Sequence, residues 1–215
     1  MKVKWFGQAA FLLTSDSGTR IITDPYTPGG FGLNYGDIAE DADIVTVSHD
    51  HADHANIKGI GGNPEVVRGA AVVKGIKIDT VASYHDNSGG SERGPNNIYC
   101  FKIDGLRLCH LGDIGHKLSE KQIADIGKVD ILLIPVGGNF TIDAAAATEI
   151  IRILAPKAVI PMHFQNDRCP TFPVAGIDVF LKGKDNVTKQ GASEVEFTAG
   201  KLPSSTRIIV LNPAR

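Results

Sequence analysis

The chain has 215 residues, enough for one sizeable core and too many for a disulfide-stapled miniprotein. Hydrophobic residues make up 42% and charged residues 21%, and 22 Lys and Arg against 24 Asp and Glu leave a net charge of −2; this excludes a disordered chain and gives no basis for a nucleic-acid-binding surface. No apolar stretch approaches the ~20 residues that cross a bilayer, and the opening residues reach charge and glycine too soon for a signal peptide. A cytoplasmic protein is expected, with Cys100, Cys109 and Cys169 as free thiols.

Apolar or β-branched runs at 3–6, 10–14 and 20–23 predict a β-meander that ends in Asp24-Pro25. Residues 26–35, with Pro28, Gly29, Gly30 and Gly32, predict a surface loop. A buried strand is expected at 43–47, running straight into a histidine-rich segment, and further strands at 65–68, 71–74 and 76–81. After a polar loop at 85–97, Asp104-Gly105 predicts a two-residue hairpin between 98–103 and 106–111. It would pair Tyr99 with His110, Phe101 with Leu108 and Ile103 with Leu106 on one face, and Cys100 with Cys109 on the other. Ser119 and Gln122 form a capping box for a short helix to Ile126, followed by an apolar strand at 129–134. A second helix is expected from Thr141 or Asp143 to Leu154, stopped by Pro156, then a strand at 158–162, a helix near 174–181 and a closing strand at 207–211. Neither a linker nor a repeat divides the chain, so one domain over 1–215 is expected, with sheets covered by external helices.

The chemistry concentrates in His49-Asp50-His51-Ala52-Asp53-His54. Residues two apart on an extended chain share a side, so His49 and His51 can grip one cation while Asp53 and His54 face a second. His85, Asp113 and His163 each follow an apolar strand, and strand ends of one fold meet at a common edge. Imidazole and carboxylate suit borderline divalent metals. His110 reads as a packed histidine on the hairpin face.

This pattern resembles the signature of the metallo-β-lactamase-fold hydrolases. The resemblance runs from Gly7 and Asp24-Pro25 to His163 and implies an α+β, four-layer αββα sandwich, with two mostly antiparallel sheets and helices outside. It implies His49, His51 and His85 on one metal, Asp53, His54 and His163 on the other, and Asp113 bridging them. Two divalent ions are implied, zinc by default with manganese, iron or nickel as alternatives, together with a bridging hydroxide that attacks the substrate while Asp53 relays a proton. The segments His110-Leu-Gly-Asp113, 134–138 with Thr141, and Ile160-Pro-Met-His163 are similar to the branch that includes L-ascorbate-6-phosphate lactonase, where histidine often stands in place of Gln8.

The expected substrate is a small anionic ester, lactone or phosphodiester. Arg93, Asn96, Gly138 and His116 are candidate substrate contacts, and Asp24 or Thr46 would orient ligand imidazoles. A nuclease of the same fold and a non-catalytic metal-binding or partner-binding scaffold are the alternatives. Oligomeric state is open.

Overall fold

Asp104 and Gly105 both adopt positive φ, 51° and 76°, the conformation of the turn that matches the twist of a two-residue hairpin. The turn joins β8 (Pro95–Ile103) to β9 (Leu106–His110) in the register expected, Tyr99 opposite His110 and Cys100 opposite Cys109. The two thiols are buried and free, with Sγ atoms 3.4 Å apart.

The computed structural model describes residues 1–215. A first sheet contains β1 (Lys2–Gly7), β2 (Ala10–Thr14), β3 (Arg20–Thr23), β4 (Ile44–Thr46) and β5 (Glu65–Val67) in chain order, with β13 (Glu194–Glu196) added beside β1. The second sheet comprises β6 (Ala71–Val73), β7 (Ile76–Tyr84), the hairpin, β10 (Ile131–Pro135), β11 (Ala158–Met162), β12 (Val187–Lys189) and β14 (Arg207–Val210), ordered β12-β14-β11-β10-β9-β8-β7-β6. Pairing is mixed rather than mostly antiparallel. From β3 to β5, and from β9 through β10, β11 and β14 to β12, neighbouring strands run parallel. The short β12 and β13 escape sequence reading because three mostly polar residues carry no usable period.

Alternation with period two divides the first sheet's side chains. Val3, Trp5, Phe11, Leu13, Ile21 and Ile44 join the core shared with the second sheet, while Phe6, Leu12, Ile22 and Val45 face the opposite way. The helices α1 (Glu120–Ile126), α2 (Ala144–Leu154) and α3 (Ile177–Leu181) cover the second sheet's side of the molecule, α2 contributing Ala147, Ile150 and Leu154 to that shared core. The capping box of α1 is present as expected, and Asp143 caps α2 by accepting from Ala146 N–H at 2.8 Å. The outer face of the first sheet is covered by Tyr26, Leu33, Tyr35 and Ile38 instead of a regular helix. The 26–35 segment is the irregular surface loop expected, anchored through its buried Tyr26, Leu33 and Tyr35. No helix is long and apolar enough to cross a membrane.

Tyr99 couples the sheets. Its buried hydroxyl, on β8, is shared between Val47 C=O at 2.9 Å and Val67 C=O at 3.1 Å, beside β4 and β5. Replacing Tyr99 with Phe removes the donor without changing shape, and should cost about 1–2 kcal/mol. In urea unfolding this appears as a lower midpoint at unchanged slope.

Candidate metal centre

Strand ends deliver the polar residues. β4 leads through Val47 and Ser48 into His49, β7 runs into His85, β9 is followed by Leu111, Gly112 and Asp113, and β11 stops just before His163. β7 reaches Tyr84 and β8 starts at Pro95, so His85 stands immediately past a paired strand end, and the intervening loop is shorter than expected. The ligand atoms of His49, His51 and His85 lie within 4.8 Å of one another, as do those of Asp53, His54, Asp113 and His163. Asp113 joins the two sets, its Oδ2 lying 3.1 Å from His54 Nε2, 3.2 Å from His163 Nε2 and 3.4 Å from His85 Nε2.

Asp24 orients both sets. Fully buried after β3, it accepts from the Ser48 backbone N–H at 2.7 Å and the Ser48 hydroxyl at 2.5 Å, and lies 3.0 Å from His54 Nδ1. The same hydroxyl is 2.9 Å from His49 Nδ1, so one carboxylate steers imidazoles on either side. Thr46 does not take the orienting role considered for it, since its buried hydroxyl has no hydrogen-bond partner. Gln8 donates Nε2 to Asp53 Oδ2 at 3.0 Å, and its carbonyl accepts from His163 N–H at 3.2 Å. Sequence reasoning gave Gln8 no such contact, because residue spacing carries no sign of it. Gln8, Asp24 and His163 all hold positive φ, at 49°, 40° and 52°. Such backbone costs about 1–3 kcal/mol per residue and persists where surrounding structure enforces it.

The beta-lactamase superfamily domain matches residues 2–163. The chain belongs to the metallo-β-lactamase superfamily. A solved structure from Thermotoga maritima, described as a candidate zinc-dependent hydrolase of that superfamily, is 35% identical, with a TM-score of 0.80 over 98% of this chain and 97% of that one. Proteins named metal-dependent hydrolases are similar too. That of Carboxydothermus hydrogenoformans is 29% identical over 83% of this chain and 89% of its own, and that of Korarchaeum cryptofilum 28% over 99% and 97%.

The superfamily's metals fit the residues present. Ligand atoms about 2.0–2.1 Å from one tetrahedral ion stand about 3.3 Å apart. Here His49 Nε2 is 3.1 Å from His51 Nδ1, and His54 Nε2 is 3.5 Å from the Asp53 carboxylate. His54 Nε2 and Asp113 Oδ1 are buried without hydrogen-bond partners, which a cation would relieve. Burial, reinforced by charge on His54, pushes the His49 imidazole down to about 3, and burial also lowers His85, so both are neutral and able to ligate. His54 behaves oppositely: burial opposes its charge, but Asp113, Asp53 and Asp24 outweigh burial and hold its proton well above the ordinary histidine range. Burial likewise opposes charge on Asp113, yet His163 and His54 hold its carboxyl well below the usual range.

A cavity of about 560 Å³ opens over this floor, bordered by Asp53, His85, Asp113 and His163 and by the Arg93 side chain. Arg93 thus stands where a substrate contact was expected. Its loop is pinned by Asp86, whose carboxylate accepts the N–H groups of Arg93, Gly90 and Ser88 at 2.8 Å and of Glu92 at 3.0 Å.

The other three expected contacts lie elsewhere. Asn96 is buried, donating to Ser83 Oγ at 2.7 Å and Leu111 C=O at 3.0 Å while its Oδ1 accepts Asp113 N–H at 2.9 Å; it positions Asp113. Gly112 permits that approach. At φ 56°, any Cβ there would meet Ser48 Cβ at 2.8 Å and strike the Asn96 side chain. The Gly138 N–H is spent on Ile142 C=O at 3.2 Å and offers nothing to an anion. His116 accepts from Tyr84 N–H at 3.1 Å and faces a separate hollow with Tyr84 and Gln122. His110 is packed as expected, Nε2 donating to Ala9 C=O at 2.9 Å and Nδ1 accepting Gly112 N–H at 3.1 Å.

Asp24→Asn should weaken divalent-ion affinity by about 10–100-fold, read by competition with a chromophoric chelator. Because His54 must surrender its raised proton to ligate, wild-type affinity should fall as pH falls.

Proposed function

We propose that this protein is a dinuclear-metal-dependent hydrolase of a small anionic ester, lactone or phosphodiester, with zinc the first ion to test. The observation that carries the reading is the buried Asp113 Oδ2, which stands within 3.4 Å of imidazoles from both ligand sets. The relatives named metal-dependent hydrolases, and the zinc named for the Thermotoga maritima protein, support it.

His49, His51 and His85 would hold one ion and Asp53, His54 and His163 the other, with Asp113 between them. Bound divalent ions supply a Lewis acid for a carbonyl or phosphoryl oxygen and lower the pKa of water from about 15.7 towards neutrality. Asp53 is the acidic member of the cluster most open to the cavity, its side chain 17% exposed against 2% for Asp113. It is the group placed to accept and pass on a proton at Oδ1, since Gln8 donates to Oδ2; burial opposes its charge, but His54 holds its carboxyl well below the usual range, so it stands ionised before any transfer. Arg93 offers a planar fork for the substrate's anion. The three buried free thiols suit a cytoplasmic setting.

The test combines metal content with turnover on phosphodiesters and lactones. Two ions per chain and hydrolysis abolished by chelation are expected, and Asp113→Asn should lower kcat by about 100-fold or more. Two bound ions with no turnover on any panel member would favour a non-catalytic metal scaffold instead.

A further inference from the structure

Above the His/Asp floor, the cavity wall is aromatic. Phe140 and Phe172 have ring centroids 5.5 Å apart at 34°, and Phe172 meets the His163 ring edge at 5.5 Å and 62°. Phe31 stands at the rim, 69% exposed, in a turn where Gly29, Phe31 and Gly32 all take positive φ. Arg93 lies over this wall, its Cζ 5.9 Å from the Phe140 centroid.

Polar partners outside the ligand sets are few. Only Arg93 and Asp50 border the cavity, and Asp50 is already paired with Arg68 at 2.5 Å. No Ser, Thr, Tyr, Asn, Gln or Lys side chain lines it. A polyhydroxylated substrate would surrender hydrogen bonds to water and find few replacements along the aromatic wall. A flat apolar group would displace water from aromatic rings and lose nothing polar. Outside the metal-holding floor, Arg93 is the one cationic side chain bordering the cavity, so one anionic group beside the apolar one completes the match.

We infer that the substrate carries a flat apolar group, an aromatic ring or conjugated chain, seated against Phe140 and Phe172, with its single anionic group within reach of Arg93, and that it is not a sugar derivative. The inference rests on the metal-hydrolase reading above and adds the organic part of the substrate. Phe140, Phe172 and Phe31 are its specificity determinants.

Binding provides a test that does not depend on turnover. Calorimetry on the zinc-loaded protein should find phenylphosphonate about tenfold tighter than methylphosphonate, the two sharing an anion and differing in the ring. Phe140→Ala should erase the preference, phenylphosphonate affinity falling to that of methylphosphonate measured in the same variant. Phe31→Ala, at an exposed position that does not threaten folding, should reduce it. Dihydrocoumarin should be hydrolysed with a kcat/KM about tenfold above that of glucono-δ-lactone, each normalised to its rate in buffer. Equal phosphonate affinities, failure to bind either, or preference for the hydroxylated lactone would overturn the inference. Preference for phenylphosphonate with no hydrolysis of any substrate would uphold the aromatic subsite and defeat the hydrolase reading instead.

Discussion

Asp113 is a carboxylate taken out of water, and the imidazole nitrogens around its Oδ2 make that burial tolerable. An isolated buried carboxylate would take up a proton. Surrounded by His54, His163 and His85, this one stays ionised and becomes a shared anchor for cations. Asn96 fixes its backbone, Gly112 lets the chain pass close to Ser48, and parallel strands bring His163 alongside. The fold places one charge where it cannot be stable alone, then supplies its partners from other strands.

Much of this was legible because the relevant signals are local. The Asp-Gly turn dictates hairpin register through backbone conformation alone, and a run of histidines after a buried strand has little other use. The strand-end positions of His85, Asp113 and His163 followed from where apolar runs stopped. Less visible were features that depend on which distant segment packs where. Asn96 lies on a strand, β8, that begins earlier than its polar composition suggested, so a residue assigned to a loop is buried behind the site. Gly138 resembles the glycine of an anion-binding turn, but the fold closes its N–H onto Ile142.

Gln8 illustrates the same limit from the other direction. At the sequence level it is a departure from a frequent histidine. In three dimensions its amide reaches Asp53 and its carbonyl accepts the His163 N–H, so one residue with an unfavourable backbone conformation links two groups on the same side of the centre. Asp24 does the corresponding work through Ser48 and His54. Gln8 acts on two residues that border the cavity, Asp24 on the wholly buried His54, and neither borders the cavity itself.

The segment that seals the outer face of the first sheet also carries Phe31 to the cavity rim. Tyr26 and Leu33 are wholly buried at either end of that stretch, so the residues between them form a short tether whose ends belong to the hydrophobic interior. A change at Phe31 can exchange what meets an incoming molecule at little thermodynamic risk, whereas Thr27 is bonded to Ala52 in the histidine-rich loop, Gly29 and Gly32 hold positive φ, and a change at either anchor would be felt as a folding defect. Altered selectivity is therefore most accessible at Phe31, whose side chain stands in the open while its neighbours hold the turn in place.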